Sequence, residues 1–511
     1  MRIGIQRAGT PVRLTDDQFY LSLLALMTAL VTGATLWMAL LLHRNFLTVA
    51  CDTAEYQNAI VNTLHGHWFR DTVIDGPNVL GMHTFLIFLL FVPVCAICPC
   101  PEVLFVVQIC AVYGTVLVLY LAARDFTSRP LVAFFVAASA LVSPIMAQMA
   151  FAPFHPETWI AATFFGAYHF YRQGKAIPFA VCLAVGLTSG EPAAFIYLAL
   201  GIAMLLGEDG VAWGKRYGTW LVAVSVAWLV LSLFIISPAV RVAAQQNIFG
   251  YHYKQWNVTS APGLLLTVVG HPVLALETLF DPSRWLYLLE LIGPVLLFIF
   301  VSRTALIIVL LSFPIYFLMD DQEFSLYFHA YYYSFAFIAG YLGLLSFLAK
   351  RELDRPGMVI FSTLYTVNIL LLFYSLNFYF QLAGGTDENF TRTLREEFAR
   401  IPSDAGVYGP HRYSAYLSDR PNMVMGDLRD GTAPVDFDEM VEKKFPTTDV
   451  HAQQIDYIVA DFLTDQCGWR QAYWDPAQAK ARSDSIKLLL ASGKWQLAWQ
   501  ENDVVILQRV K

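Results

Sequence analysis

Carboxylates and imidazoles gather in four stretches of this 511-residue chain, each bordering an apolar run. In CDTAEYQNAIVNTLHGHWF, Asp52 and Glu55 stand three apart and Asp52 and Tyr56 four apart, so a helix puts all three on one face. The same acids suit a helix N-terminus, where negative charge complements the macrodipole. His83 opens the run in VLGMHTFLIFLL, a place that a boundary histidine also fills. FHPETW and LTSGEPAAF each set a carboxylate beside proline: Glu157, two residues after His155, and Glu191. DDQEFSLYFHAYYYSFAF joins Asp320, Asp321 and Glu323 to His329 and a tyrosine group that an interfacial aromatic belt also explains. The loop NIFGYHYKQWNVTSAPG adds His252, Lys254 and Trp256, which suit phosphate and sugar faces or an amphipathic interfacial loop. Ionisable groups at the edge of a membrane core must be paired or hydrated, so their gathering points to chemistry. A carboxylate can take a proton from a hydroxyl, and cations or a metal can steady a phosphate as charge develops.

The elements that must position these groups are membrane helices. Hydrophobic residues make up 57% of the chain and charged residues only 14%, against about 25% charged in a soluble domain. Apolar runs near 19–42, 83–98, 102–123, 131–150, 158–171, 177–206, 218–237, 285–301, 304–319, 327–349 and 357–381 suit helices in a hydrocarbon core of about 30 Å. The first run has no signal-peptide cleavage pattern and reads as an anchor. Cys95, Cys98 and Cys100 in CAICPC have no acid or histidine among them and read as packing residues.

Basic residues order the loops. Arg124, Arg129, Arg172, Lys175, Lys215, Arg216, Arg303, Lys350, Arg351 and Arg355 outnumber the acids in one set, which should be cytoplasmic. The alternate loops hold Asp52, Glu55, Glu157, Glu191 and their neighbours and should face outward. This parity requires 83–123 to cross once, with a re-entrant or interfacial piece, and 177–206 to break at TSGEP beside Pro192. The expected architecture is a polytopic α-helical membrane protein of about eleven crossings with its N-terminus inside. Residues 1–381 form the membrane domain, with a first outer loop at 43–82. After Gln381 the sequence turns polar, and 382–511 reads as a small extracytoplasmic α/β domain. Its strands are AGVYG, NMVMG, DYIVADF, WQLAW and VVILQRV, and its helices ENFTRTLREEFARI and AQAKARSDSIKLLLASG.

Walker loops, H-E-x-x-H and dinucleotide fingerprints are absent, and nothing suggests a nucleic-acid partner. The chain resembles the DUF2079 group of predicted membrane proteins. The marks are CDTAEYQNAIVNTLHGHWF, GMHTFL, FHPETW, the glutamate of SGEPAAF, DPSRWLYLLELIGPVLLF, LYFHAYYYSFAFIAG, IPSDAGVYGPHRYSAYLSDRP and IDYIVADF, in that order. One departure is Pro192, where the group commonly has a second acid. The wider architecture resembles the GT-C glycosyltransferase fold. That resemblance implies a polyprenyl-phosphate sugar donor, an outward-facing glycan or lipid acceptor, and Asp52 as the first-loop aspartate that acts as general base or orients the acceptor. On this reading Glu55 and Glu191 support the chemistry, while His83, His155, Glu157, His252, Lys254, Arg284 and His329 bind substrate. A divalent ion (Mg, Mn or Ca) on Glu157, Glu191 and His155 is a further expectation. The rival readings are a transporter or lipid flippase, which the one-sided placing of the acids opposes, and a non-catalytic scaffold whose outer domain binds a partner.

Overall fold

The computed structural model describes residues 4–7, 10–13, 15–48, 51–73, 78–207, 213–241, 248–319, 327–349, 355–384, 387–426, 428, 454–464 and 473–510. Among them, six helices are long and apolar enough to span a membrane, or up to seven if the bent pair counts as one span, joined by four shorter apolar helices. The first helix, α1 (Asp16–Arg44), begins at a Thr15–Gln18 capping box with acids in its first turn and ends on His43 and Arg44. Both ends therefore match the helix dipole.

A short helix, α2 (Cys51–Leu64), follows, then α3 (Phe88–Ile97), which contains Pro93. The next is α4 (Glu102–Thr127), whose Arg124 pairs with Asp17 at the start of α1. Ten residues of helix extend only about 15 Å, half of a hydrocarbon core. Since its last turn meets the first turn of α1, α4 runs back alongside α1 and begins at the end of the bundle where α1 finishes. The chain continues through α5 (Pro130–Leu141), α6 (Pro144–Phe151), α7 (Ile160–Arg172), α8 (Ala176–Thr188) and α9 (Glu191–Leu205). Prolines open α5, α6 and α9, where the missing N–H costs nothing. The predicted break at TSGEP is present: Gly190 adopts φ +139° between α8 and α9.

The basic ends meet at one end of the bundle. Asp125 pairs with His169, and Arg129 donates to the Leu348 carbonyl. At the opposite end sits the C-terminal unit, a five-stranded sheet in the order Met423–Met425, Val407–Gly409, Tyr457–Asp461, Val504–Arg509 and Trp495–Glu501. The first three strands are parallel and the last two antiparallel. Leu394, Phe398 and Tyr413 pack on one face of the sheet together with Phe46 and Ala54 of the membrane part, and Ile486 and Leu489 pack on the other. The expected α/β layer is thus a three-layer sandwich seated on α2. Asn58 and Asn62 fasten it by donating to the carbonyls of Arg420 (2.8 Å) and Pro421 (3.0 Å).

Candidate functional site

Breaks in the helices at the sandwich end converge on one buried polar cluster. The face of α2 predicted from spacing carries Asp52, half-buried, with Glu55 and Tyr56 buried. Beside it runs the turn between α6 and α7, residues 152–159, which two neighbouring helices hold from both sides. The amide of Gln108 on α4 donates to the carbonyls of Met149 (3.1 Å) and Ala152 (2.9 Å), and its oxygen accepts from the His155 N–H at 2.7 Å. Thr53 Oγ1 on α2 accepts from the Phe154 N–H at 2.9 Å. These bonds satisfy backbone groups that a buried turn would otherwise leave unpaired.

The ring of His155 is fixed on three sides. It stacks on Tyr331 with centroids 3.7 Å apart and planes 12° from parallel. Its Nε2 lies 3.1 Å from the Tyr56 hydroxyl, and its Nδ1 contacts Glu157 Oε2. Glu157 is 1% exposed; its other oxygen, Oε1, has no hydrogen-bond partner. Burial raises the Glu157 carboxyl to about 8 and lowers the His155 imidazole to about 3. Loss of hydration disfavours the charged form of each, so this pair is neutral at neutral pH. The Asp52 charge acts on both His155 and Tyr56.

Glu191 opens α9 directly after the glycine break. Its Oε1 accepts from the Thr84 N–H at 2.6 Å, and its Oε2 lies 3.6 Å from His83 Nδ1. His83 stacks on Phe85, which also meets Tyr56 and His155 edge-on. Thus Asp52, His83, His155, Glu157 and Glu191, taken from four separate stretches, share one site.

A cavity of about 510 Å³ adjoins this cluster. Its polar end is bounded by His83, Glu157, Glu191, Arg241, His252 and Tyr332, and its walls by side chains such as Phe195, Leu264 and Ile315. Phe234 and Leu265, also in the walls, are 60% and 66% exposed, so the apolar part reaches the outer surface of the helices. One wall is a π-helical stretch, Leu231–Ile236, inserted in the long helix that begins at Gly214. Such bulges accompany functional sites. Just beyond it, Ser237 Oγ donates to the Gly81 carbonyl at 2.7 Å, and Arg241 Nη2 donates to Ser237 Oγ at 2.8 Å.

Other predicted site residues fall elsewhere. His252 lines the cavity, edge-on to Tyr332. Lys254 is exposed and is not among the lining residues. Arg284 is buried and donates to the carbonyls of Phe317 (2.6 Å) and Met319 (3.0 Å), closing the end of the helix Arg303–Phe317. His329 belongs to the 3₁₀ segment Tyr327–Tyr333, with its side chain outside the described residues, as are Asp320, Asp321 and Glu323. Arg241 is the cation that sequence reasoning passed over. Its signal was a basic residue after proline (SPAVR) at the outer end of an apolar run. Among the described residues no group of three or more His, Cys, Asp or Glu is arranged to hold a metal. Both nitrogens of His155 are engaged, and Thr84 and His83 contact Glu191, so these side chains do not fit a shared divalent ion.

A family model described as DUF2079, predicted membrane protein, matches residues 42–506. In structure the chain is similar to ArnT from Cupriavidus metallidurans bound to undecaprenyl phosphate. The TM-score is 0.53 at 13% identity, over 96% of this chain and 98% of that one. It is also similar to the same protein in the apo state (TM-score 0.48, 13% identity, 97% and 99% covered). A third similar structure is the Archaeoglobus fulgidus oligosaccharyltransferase tethered with an acceptor peptide (TM-score 0.47, 13% identity, 95% and 74% covered). No curated protein matches the sequence. The first of these likenesses shows the GT-C fold, in a chain embedded in the membrane.

Proposed function

We propose, for a chain that belongs to the DUF2079 family of predicted membrane proteins, that it is a glycosyltransferase moving a sugar from a polyprenyl-phosphate carrier to an acceptor outside the cytoplasmic membrane. The observation that carries this reading is the cavity, whose apolar walls reach the lipid-facing surface while its inner end gathers Arg241, His83, His252, Glu157 and Glu191. An isoprenoid chain suits the walls, and a phosphate suits the end with the guanidinium. The similar ArnT structure holds undecaprenyl phosphate, which supports the same class of lipid here. Asp52 on α2 stands beside this end and takes the proton of the acceptor hydroxyl as it attacks the sugar, with Glu55 one turn further along supporting α2's acidic face. The N-terminus and the basic ends lie in the cytoplasm, and the sandwich stands outside, over the acceptor side.

The test uses proteoliposomes containing the whole protein and undecaprenyl-phosphate-linked sugars. Loss of lipid-linked sugar with appearance of a glycosylated acceptor is expected, and Asp52→Asn should reduce it by at least a hundredfold while insertion is unchanged. Full turnover by that variant would remove Asp52 from its role. Movement of the lipid-linked sugar across the bilayer with no transfer would favour a flippase instead.

A further inference from the structure

We propose that Tyr56, His155 and Glu157 form a proton relay joining Asp52, on the acceptor side, to the leaving phosphate in the cavity. The proposal rests on the transferase reading above.

The contacts run from Tyr56 through His155 to Glu157, and Asp52 stands at the Tyr56 end. Tyr56 lies one helical turn after Asp52 on the same face of α2. Its hydroxyl reaches His155 Nε2 at 3.1 Å, and His155 Nδ1 contacts Glu157 Oε2. Glu157 lines the cavity, and its Oε1 is a buried polar atom with no partner. The three side chains are at most 2% exposed, so bulk water does not interrupt the chain. Leaving a buried polar atom without a partner costs about 1–3 kcal/mol, a cost that a ligand in the cavity would relieve. A carboxyl that lines the cavity and keeps one oxygen unpartnered suits the terminal member of a relay.

One set of proton positions readies the chain to deliver a proton to the cavity. Tyr56 O–H donates to His155 Nε2, the neutral ring donates from Nδ1 to Glu157 Oε2, and a neutral Glu157 carries its hydrogen on Oε1, towards the cavity. Burial favours these neutral forms, raising Glu157 and lowering His155. Stacking on Tyr331 and the Gln108 bond to the His155 N–H hold the ring in register.

In the reaction the acceptor oxygen forms its bond to the sugar carbon, and its proton passes to Asp52. The bond from that carbon to the phosphate oxygen breaks, and the electron pair stays on the phosphate. Asp52 then gives its proton to the Tyr56 oxygen as Tyr56 protonates Nε2, Nδ1 protonates Oε2, and Oε1 protonates the departing phosphate. One proton has moved, in net, from acceptor to phosphate. After product release, a proton entering from water in the cavity resets the chain by the reverse hops. It leaves through Asp52, the member that is half-exposed. Asp52 and Glu157 touch the reactants; Tyr56 and His155 act through them as positioning and conducting residues.

Two measurements separate this relay from the reading beneath it. Without donor, the infrared difference between the wild-type protein and Glu157→Gln at neutral pH should contain a protonated-carboxyl band, displaced in Tyr56→Phe. With undecaprenyl-phosphate-linked sugar and acceptor, Tyr56→Phe and Glu157→Gln should lower kcat by roughly a hundredfold with KM unchanged. The solvent deuterium effect on kcat should depend on deuterium content in a curve for wild type and in a straight line for Tyr56→Phe. Glu157→Asp should recover part of the rate. A missing carboxyl band, or a Tyr56→Phe protein with wild-type kcat and isotope effect, overturns the relay while transfer itself stands. A normal band in a wild-type protein that transfers nothing overturns the transferase reading and removes the relay's destination.

Discussion

Gly190 offers a sharp test of how the site is built. Its backbone, at φ +139° and ψ 164°, lies in a region open almost only to glycine, and forcing alanine into it costs about 1–3 kcal/mol. Space adds a second cost. A Cβ there would sit 3.0 Å from the ring of Phe85 and 3.5 Å from the carboxyl carbon of Glu157. Phe85 cannot retreat alone, because it stacks on His83 at 4.8 Å and meets the rings of Tyr56 and His155 at 5.4 and 5.6 Å. Its displacement therefore passes into the groups proposed to handle the proton. Gly66 supplies the control, with φ +88° but nothing within 4 Å of a Cβ. Both Gly66→Ala and Gly190→Ala should lower the thermal midpoint of the purified protein. Only Gly190→Ala should also slow turnover per folded molecule, by roughly tenfold to a hundredfold, since a 1 Å misplacement near reacting groups costs about that much. Turnover by Gly190→Ala equal to that of Gly66→Ala would refute the claim that the α8–α9 break sets the geometry of the site.

The buried acid–imidazole pair predicts a pH dependence of stability. The folded chain keeps the Glu157 proton up to about 8 while the unfolded chain releases it near 4.5, so this group costs stability as pH rises between those values. His155, lowered to about 3 from 6.5, works in the opposite sense below 6.5, so the net fall is expected between 6.5 and about 8. Thermal midpoints measured across that window should fall for wild type and flatten in Glu157→Gln; an equal slope in both would remove the neutral carboxyl. Arg241→Ala should weaken undecaprenyl phosphate binding about 10- to 150-fold, the equivalent of one charged hydrogen bond of roughly 1.5–3 kcal/mol, as read by titration of the lipid. Arg284→Ala should instead reduce folded yield, because two buried carbonyls lose their donor, and leave lipid affinity per folded molecule unchanged.

Much of this arrangement is legible in the sequence because it follows from local rules. Pattern and turn residues located the five strands of the sheet and the helices Glu388–Arg400 and Pro476–Ala491. Proline and charge parity predicted the break before Glu191. The shared face of Asp52, Glu55 and Tyr56 needed only the helical repeat. What escaped depends on contacts distant in sequence. Gln108 stands alone as an amide in the apolar run FVVQICAV, and it clamps a turn more than forty residues away. Tyr331 read as an interface anchor and is a stacking partner of His155. Lys254 and Arg284 were named for charge alone, and charge does not reveal which carbonyls a side chain will meet.

The prolines beside His155 and Glu157 now have a physical reason. A helix continued through 152–159 would satisfy its own backbone and turn its side chains around a cylinder, away from a single target. The break frees backbone groups instead, and those are affordable in a buried place only because Gln108 and Thr53 bind them. That bracing also makes the turn rigid, with the imidazole and carboxyl fixed relative to α2. Glu191 follows the same rule, its carboxylate held by the Thr84 N–H at a break that joins glycine to proline across it. Burial then decides the charges: the Glu157–His155 pair is driven neutral, and among the described residues Arg241 is the guanidinium that lines the cavity. An apolar groove whose polar end sets Arg241 beside the neutral Glu157, with Glu191 turned to His83 and the Thr84 N–H, favours a phosphate that arrives on a lipid and can accept a proton as it leaves. If undecaprenol without its phosphate bound as tightly as undecaprenyl phosphate, that polar end would have no part in recognition.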